Sequence, residues 1–348
     1  MVSSPTRRCT RRAEHGPAPT TTDTGTALAL YQGMTRALAS FALLLLAACS
    51  SQPGTPDEGR AGFRGDMDLR ACGNAAPTPL LVRGNTEAAP GIIAAVCGNL
   101  EGHNTLTLKS GALAVSGDWT ASAPARVGGA AFVNGKLEAS NSVTIDGVLH
   151  TSAADLTNVT ASSVTAVGVA PDTPVQCASA PVSRAAIAQI EAAGMIDMGD
   201  ALAAHSESAN VELGCARYRF SSWGINNELL LRVTGSTVIV VEGDVRIAAP
   251  VRIDVAPDAK LDFIVGGSLQ VDNTLSFSGG STWLGVEKEV RIAAPVTLTG
   301  YLFAPLSQVA LDNTLTIDGS LFVGPLRAAA PLTVTALPGS EPACATTF

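Results

Sequence analysis

Carboxylates, histidines and arginines are the residues of this 348-residue chain whose types could carry chemistry. Hydrolysis of a glycosidic bond needs two carboxylates in register, one protonated and one ionised. Asp254, Asp258, Asp262, Asp272, Asp312 and Asp318 are scattered instead, and no Asp-Asp pair occurs after residue 48. Asp272 and Asp312 recur in equivalent Asp-Asn-Thr turns, which assigns them to corner hydrogen bonding. The histidines beyond residue 48 are His103, His150 and His205, and the chain has no H-E-x-x-H, G-x-S-x-G or P-loop pattern. His103 fills a turn slot matching Asp272, and His205 ends a predicted helix, where a cation suits the dipole. Solvated or capping histidines are therefore expected. Arg246, Arg252 and Arg291 are middle residues of apolar-x-apolar triads. They form a candidate outward stripe for an anionic polysaccharide, or else pair with acids such as Asp254 and Glu289. No cofactor or metal is expected, since the G-G-x-G-x-D calcium repeat is missing and Trp119, Trp223 and Trp283 are too dispersed for a sugar platform.

The cysteines carry a different chemistry. Met34-Thr35-Arg36 is a short basic start, and the apolar run Ala37 to Ala48 has the length of a signal-peptide core, too short to span a bilayer comfortably. The run ends in Leu46-Ala47-Ala48-Cys49, which resembles the bacterial lipobox. That resemblance implies cleavage before Cys49 and acylation of its thiol. Ser50 is not the Asp that holds such proteins at the inner membrane, so an outer-membrane lipid is the expected partner. Residues 1–33 read as an upstream extension, with either Met1 or Met34 as the start. Beyond Cys49 stand Cys72, Cys97, Cys177, Cys215 and Cys344, an odd number in an oxidising compartment and without a C-x-x-C. Local closure favours Cys72–Cys97 and Cys177–Cys215, leaving Cys344, which could replace either partner.

Composition narrows what must position these groups. The net charge is −8, charged residues make up 15% and aromatics 4%, beside 34 Gly and 20 Pro. Removing residues 1–48 takes away five arginines and two acids, leaving 17 basic against 28 acidic residues and a net charge of −11. Nucleic acid, which wants a clustered basic surface, is excluded as a partner. The sequence then repeats. Arg246-Ile247-Ala248-Ala249-Pro250-Val251 returns at 291–296 and, as Arg327-Ala328-Ala329-Ala330-Pro331-Leu332, at 327–332. Val271-Asp272-Asn273-Thr274-Leu275 and Leu311-Asp312-Asn313-Thr314-Leu315 fall between the copies. Pro250, Asn273, Pro295, Asn313 and Pro331 thus alternate in steps of 23, 22, 18 and 18 residues. A period near 20 means stacked coils.

Triads such as Val245-Arg246-Ile247, Leu269-Gln270-Val271 and Leu315-Thr316-Ile317 point two side chains inward and one outward, the signature of a short half-buried strand. One such strand closes no core, but stacked coils do, so the expected fold is all-β, a right-handed parallel β-solenoid. The grammar recurs at Asn104, Pro124 and Asn141, with triads Leu106-Thr107-Leu108 and Val143-Thr144-Ile145. Pro181 to His205 breaks it: alanine-rich, with Ile187 and Ile190 on one helical face and Ser179 and Pro181 as N-terminal signals, this stretch predicts a small inserted helical segment. The expected organisation is a signal peptide at 34–48, a tether at 49–75, solenoid halves at 76–170 and 217–338 flanking a helical insertion at 171–216, and a tail at 339–348.

Thr237–Val245 (TVIVVEGDV), Gly300-Tyr301-Leu302-Phe303-Ala304-Pro305 and Ile317-Asp318-Gly319-Ser320-Leu321 give the stretch Leu229–Val334 a resemblance. It resembles a β-solenoid domain of unknown function from exported and pilus-associated bacterial surface proteins. Arg126-Val127-Gly128-Gly129-Ala130 and Val133-Asn134-Gly135-Lys136-Leu137 are similar to choice-of-anchor A proteins and bactofilins. These resemblances imply a right-handed solenoid at the cell surface and no catalytic residues. The expected function is a non-catalytic, lipid-anchored scaffold at the outer membrane, adhering to a protein or polysaccharide. A polysaccharide-active β-helix enzyme and a self-associating, bactofilin-like polymer are the alternatives.

Overall fold

The computed structural model describes residues 67–69, 91–166, 177 and 194–337, all within the unit Gly59–Phe348. Cys49, Cys72, Cys344, the signal peptide and the tail 339–348 lie outside the described residues.

The alternation of the triads is realised as a parallel β-solenoid of about 11 turns. Each coil has three faces. In one coil the first face is Thr237–Val241, the second is Val245–Ile247, and the third opens the long strand Val251–Val265. That strand bends at 256–259 and runs on into the first face of the next coil, where Leu261–Val265 pairs with Thr237–Val241. On the second and third faces the inward residues of each triad are buried and the middle residue is exposed or half-buried, as in Val245-Arg246-Ile247. Stacking places Ile253, Phe277, Leu298, Ile317 and Val334 one above another in a continuous apolar core.

The order of the coils is not the order of the chain. From the coil at 196–213 the stack climbs sequentially to the coil at 321–334. The next coil is then 92–108: Leu321–Val323 pairs with Ala94–Val96, Leu326–Ala328 with Leu100–Gly102, and Leu332–Val334 with Leu106–Leu108. Beyond it the N-terminal coils continue to Val159–Ala166 at the far end. Met67–Leu69 adds a strand to Val211–Leu213 at the opposite end. The solenoid halves therefore abut in permuted order, with the end of the C-terminal half docked on the start of the N-terminal half.

The corners explain why this seam fits. Asn273 donates its side-chain amide to Ala248 O at 3.3 Å and accepts from the Thr274 amide at 2.8 Å. Leu275 N in turn donates to Pro295 O of the next coil. Asn313 repeats this toward Ala293, and Asn104 toward Ala329 across the seam, each at 3.3 Å. A proline corner supplies a carbonyl but no amide, so an asparagine corner, with its extra donor, is its natural neighbour. Asn313, Pro331, Asn104, Pro124 and Asn141 keep the alternation unbroken through the junction. The corner between third and first faces relies on glycine. Gly300 and Gly319 take φ of 138° and 150°, and a Cβ on Gly319 would stand 1.7 Å from the Gly300 carbonyl oxygen.

One expectation needs correction. Of the helical insertion at 171–216, the described part from Gly194 onward carries no α-helix: Ile196–Asp197 and Ala209–Leu213 are strands of the terminal coil. Tertiary pairing with Tyr218–Arg219 and Leu229–Val233 overrides the local alanine-rich pattern. Gly194 and Ala166 stand at opposite ends of the solenoid.

Candidate functional site

The three faces differ on their outer side. On the second face the outward column runs Arg246, Gln270, Arg291, Ala310, Arg327, Glu101, Thr120 and Glu138. It is basic toward one end and acidic toward the other. Arg246 reaches Asp272 at 3.2 Å and Arg291 reaches Asp312 at 3.6 Å. Arg252 lies on the third face, 2.8 Å from Asp254. The arginines expected to form one stripe are therefore divided between two faces and tied to aspartates, which is the ion-paired alternative.

The aspartates act as ties. Asp254 is partly buried, which works against its charge. Hydrogen bonds from Arg252 and Ser278 and the charges of Arg252 and Arg232 nevertheless hold its carboxyl below the usual range. Asp272 accepts from Gln270 and Arg246. Asp118 and Asp244 accept from the amides of Lys136 and Ser268 in the next coil. Asp262 is buried on the outer side of the first face.

His103 occupies the corner slot of Asp272 and Asp312, its amide donating to Ala328 O as theirs donate to Ile247 O and Ile292 O. Its Nε2 lies 3.6 Å from Glu101. His150 stacks on Phe132, ring centroids 4.8 Å apart. His205 departs from expectation. It caps no helix and is 0% exposed in the terminal coil, bridged to Ile225, where burial lowers its pKa against a smaller opposing effect of Glu207. Trp119 and Trp223 are core residues, and Trp283 packs on Phe303, which continues onto Phe322.

The disulfide pairing also departs from expectation. Cys97 bonds to Cys177, 80 residues away, so neither Cys72–Cys97 nor Cys177–Cys215 forms. Closure across a short segment was the wrong criterion, since Cys177 belongs to the connection between the two halves and is brought to the seam coil by topology.

The feature that sequence reasoning missed is the outer column of the third face: Ser276, Thr297, Thr316, Thr333, Thr107, Arg126, Thr144 and Thr160. Its members follow one another at the strand spacing of ~4.8 Å, without a break at the seam. The signal was present in the middle residues of the triads. A second outward row holds Asp254 and Ser278, then Thr299, Asp318 and Thr335. Hydroxyls thus predominate on the third face, interrupted by Arg126, Asp254 and Asp318. Among the described residues no group of three His, Cys, Asp or Glu could hold a metal, and no helix is long and apolar enough to cross a membrane.

Residues 180–336 match DUF7305, a domain of unknown function. The DUF7305 segment contains the stretch Leu229–Val334 that carried the sequence resemblance, and it ends at the seam. The N-terminal coils 92–166 lie outside it, although they continue the same corners and faces. No curated protein and no solved structure matches the chain.

Proposed function

We propose that this protein is a non-catalytic adhesive scaffold of the cell envelope, anchored by acylation of Cys49 and binding a repetitive polymer along its third face. The hydroxyl column is the observation that carries this reading. Threonines at a constant ~4.8 Å step on a rigid sheet offer matched donors and acceptors to a partner that itself repeats, such as a polysaccharide chain. Side chains already ordered on a sheet lose little entropy on binding, so many weak contacts add. Anchoring suits the geometry. Met67, 18 residues after Cys49, stands at one end of the stack, and the coil ending at Ala166 stands at the other. With about 11 coils at ~4.8 Å, the far end is ~50 Å from the anchored one.

The test uses the protein lacking residues 1–49 and co-sedimentation with insoluble envelope polysaccharide. Thr297→Lys, Thr316→Lys and Thr333→Lys together are expected to abolish binding while the thermal midpoint stays within a few degrees, because all three positions face solvent. Undiminished binding by the triple variant, or no binding by the parent protein, overturns the proposal.

A further inference from the structure

The distal end of the stack lacks the cover that its strands have elsewhere. The last strand, Val159–Ala166, pairs with 143–151 along one edge, and among the described residues no strand pairs with its other edge. The inward column Leu113, Ala131, Leu149 and Val164 shows the effect. Its first three members are at most 1% exposed, whereas Val164 is 41% exposed. Leu156, in the helical turn Leu156–Asn158 before this strand, is 45% exposed. Edge strands are ordinarily guarded by charge, proline or shortness. This one has eight residues, VTASSVTA, with no charge and no proline. At the opposite end the outermost strands, Met67–Leu69 and Ile196–Asp197, have only three and two residues.

The uncovered edge carries oriented hydrogen-bonding groups. In each N-terminal coil the inward residues send their amides to the next coil toward the distal end. Leu106 N donates to Pro124 O, Leu113 N to Ala130 O and Ala125 N to Ser142 O. Their carbonyls point the same way, Leu108 O accepting from Gly128 N. Val159 and Ala161 pack on the core, and Val164 stands over the buried Leu149. Continued to this strand, the alternation turns the N–H and C=O groups of these three residues out of the end of the stack.

We propose that a second copy of this chain pairs with this edge, head to head, and that the pair bridges two opposing surfaces. VTASSVTA complements itself when reversed. In an antiparallel pair turned about the corner between Ser162 and Ser163, Thr160 stands opposite Thr165, Ala161 opposite Val164 and Ser162 opposite Ser163. Opposed residues of an antiparallel ladder point to the same side, and a hydrogen-bonded pair exchanges both N–H···O bonds. Ala161 and Val164 meet both demands, since each is inward and each presents its amide and carbonyl to the edge. Thr160 and Thr165 are exposed and outward, in register with Thr144 and His150. A shift by one residue would set each threonine against an inward residue. The two-fold lays the third-face stretch of one copy over the first-face stretch of the other, which covers Val164 and joins the two cores.

The symmetry also sets what the pair does. Met67 and the last strand stand at opposite ends of each copy, so the two Met67 ends of a pair lie ~100 Å apart, at ~50 Å per copy. Copies standing on one surface direct their distal ends the same way, so a head-to-head pair joins copies on opposing surfaces. This step rests on the Cys49 anchoring proposed above, whereas the pairing does not. The short strands at the other end keep the assembly at two copies. Many such pairs between two coated surfaces act together, so each one needs only modest affinity.

The test has two arms. In the first, Thr160→Cys and Thr165→Cys variants of the acylated protein in detergent are oxidised separately and as a mixture, and the links are read by peptide mapping. The mixture is expected to give a 160–165 disulfide between chains. Links of 160 to 160 or 165 to 165 are not expected, because those positions stand ~16 Å apart along the paired strands. In the second arm, liposomes carrying the acylated protein are expected to cluster, read by light scattering. Val164→Lys is expected to abolish clustering, and Leu306→Lys, at an exposed apolar residue in a corner of the C-terminal half, to leave it unchanged. The proposal is overturned by a mixture without the 160–165 link, by clustering that Val164→Lys leaves undiminished, or by 160–165 links without clustering. A protein that fails to float with the liposomes counts against the Cys49 anchor, and the cross-links still decide the pairing.

Discussion

The permuted seam has a quantitative consequence. Leu332 is buried at the junction and pairs with Leu106, which lies more than two hundred residues earlier in the chain. Leu332→Ala removes the packing atoms of one core position, for which a cost of about 3 kcal/mol is ordinary. In a stack whose stability is a sum over neighbouring coils, that cost falls on the two interfaces that Leu332 touches. One of them, with Leu315, joins coils that are consecutive in the chain, whereas the other is the seam. The amides of Cys97, His103 and Lys109 donate to Val323, Ala328 and Val334 across the seam at 2.7, 2.8 and 3.0 Å, so their hydrogen exchange reads its opening. Shared equally, about 1.5 kcal/mol of that cost weakens the seam, so exchange at these three amides is expected to speed up roughly tenfold. Leu275→Ala, equally buried but three coils from the seam, is expected to leave them unchanged. If Leu332→Ala leaves the three amides untouched while lowering global stability, the halves do not abut in this order and the topology is wrong.

Three further outcomes follow from particular contacts. Gly319→Ala places a Cβ 1.7 Å from the Gly300 carbonyl oxygen at φ 150°, and a loss on the order of 3–5 kcal/mol is expected in chemical denaturation; a loss below 1 kcal/mol would show the corner to be looser than described. His205 has its pKa lowered by burial, so the unfolded chain takes up a proton first as pH falls; its contribution is present above the ordinary histidine range and lost on acidification down through the lowered folded value. His205→Phe should flatten the fall in thermal midpoint between neutral and mildly acidic pH, and an unchanged slope would count against a buried neutral imidazole. Reduction of Cys97–Cys177 releases an 80-residue loop, worth up to about 4–5 kcal/mol on chain-entropy grounds, and non-reducing peptide mapping should recover the 97–177 pair and neither Cys72–Cys97 nor Cys177–Cys215.

The fold was legible because a solenoid writes its period into the chain. Each triad fixes an inward pair, each corner announces itself by proline or asparagine, and the two halves could be read separately. The helix expected around His205 was misread for a physical reason. The strand Ile196–Asp197 is only two residues long and His205 forms a single bridge, so no alternation exists there to outweigh alanine spacing. The first face left a signal that was not used: Val238–Val241 is a continuous apolar run, which marks a strand covered on both sides, in contrast to the alternating triads around it.

The seam and the disulfide were harder to read, and for a shared reason. Both join residues far apart in the chain, whereas a repeat is naturally read as if each coil rests on the coil written before it. The corner pattern is nonetheless continuous across the seam. The C-terminal half closes on the proline corner Pro331 and the N-terminal half opens on the asparagine corner Asn104, so joining them preserves the alternation. The amide of Asn104 finds the Ala329 carbonyl that a proline at 104 would leave without its donor. The alternation is thus kept across the permuted join by two contacts, Asn104 donating to the Ala329 carbonyl and the Leu332 amide donating to Thr105 O.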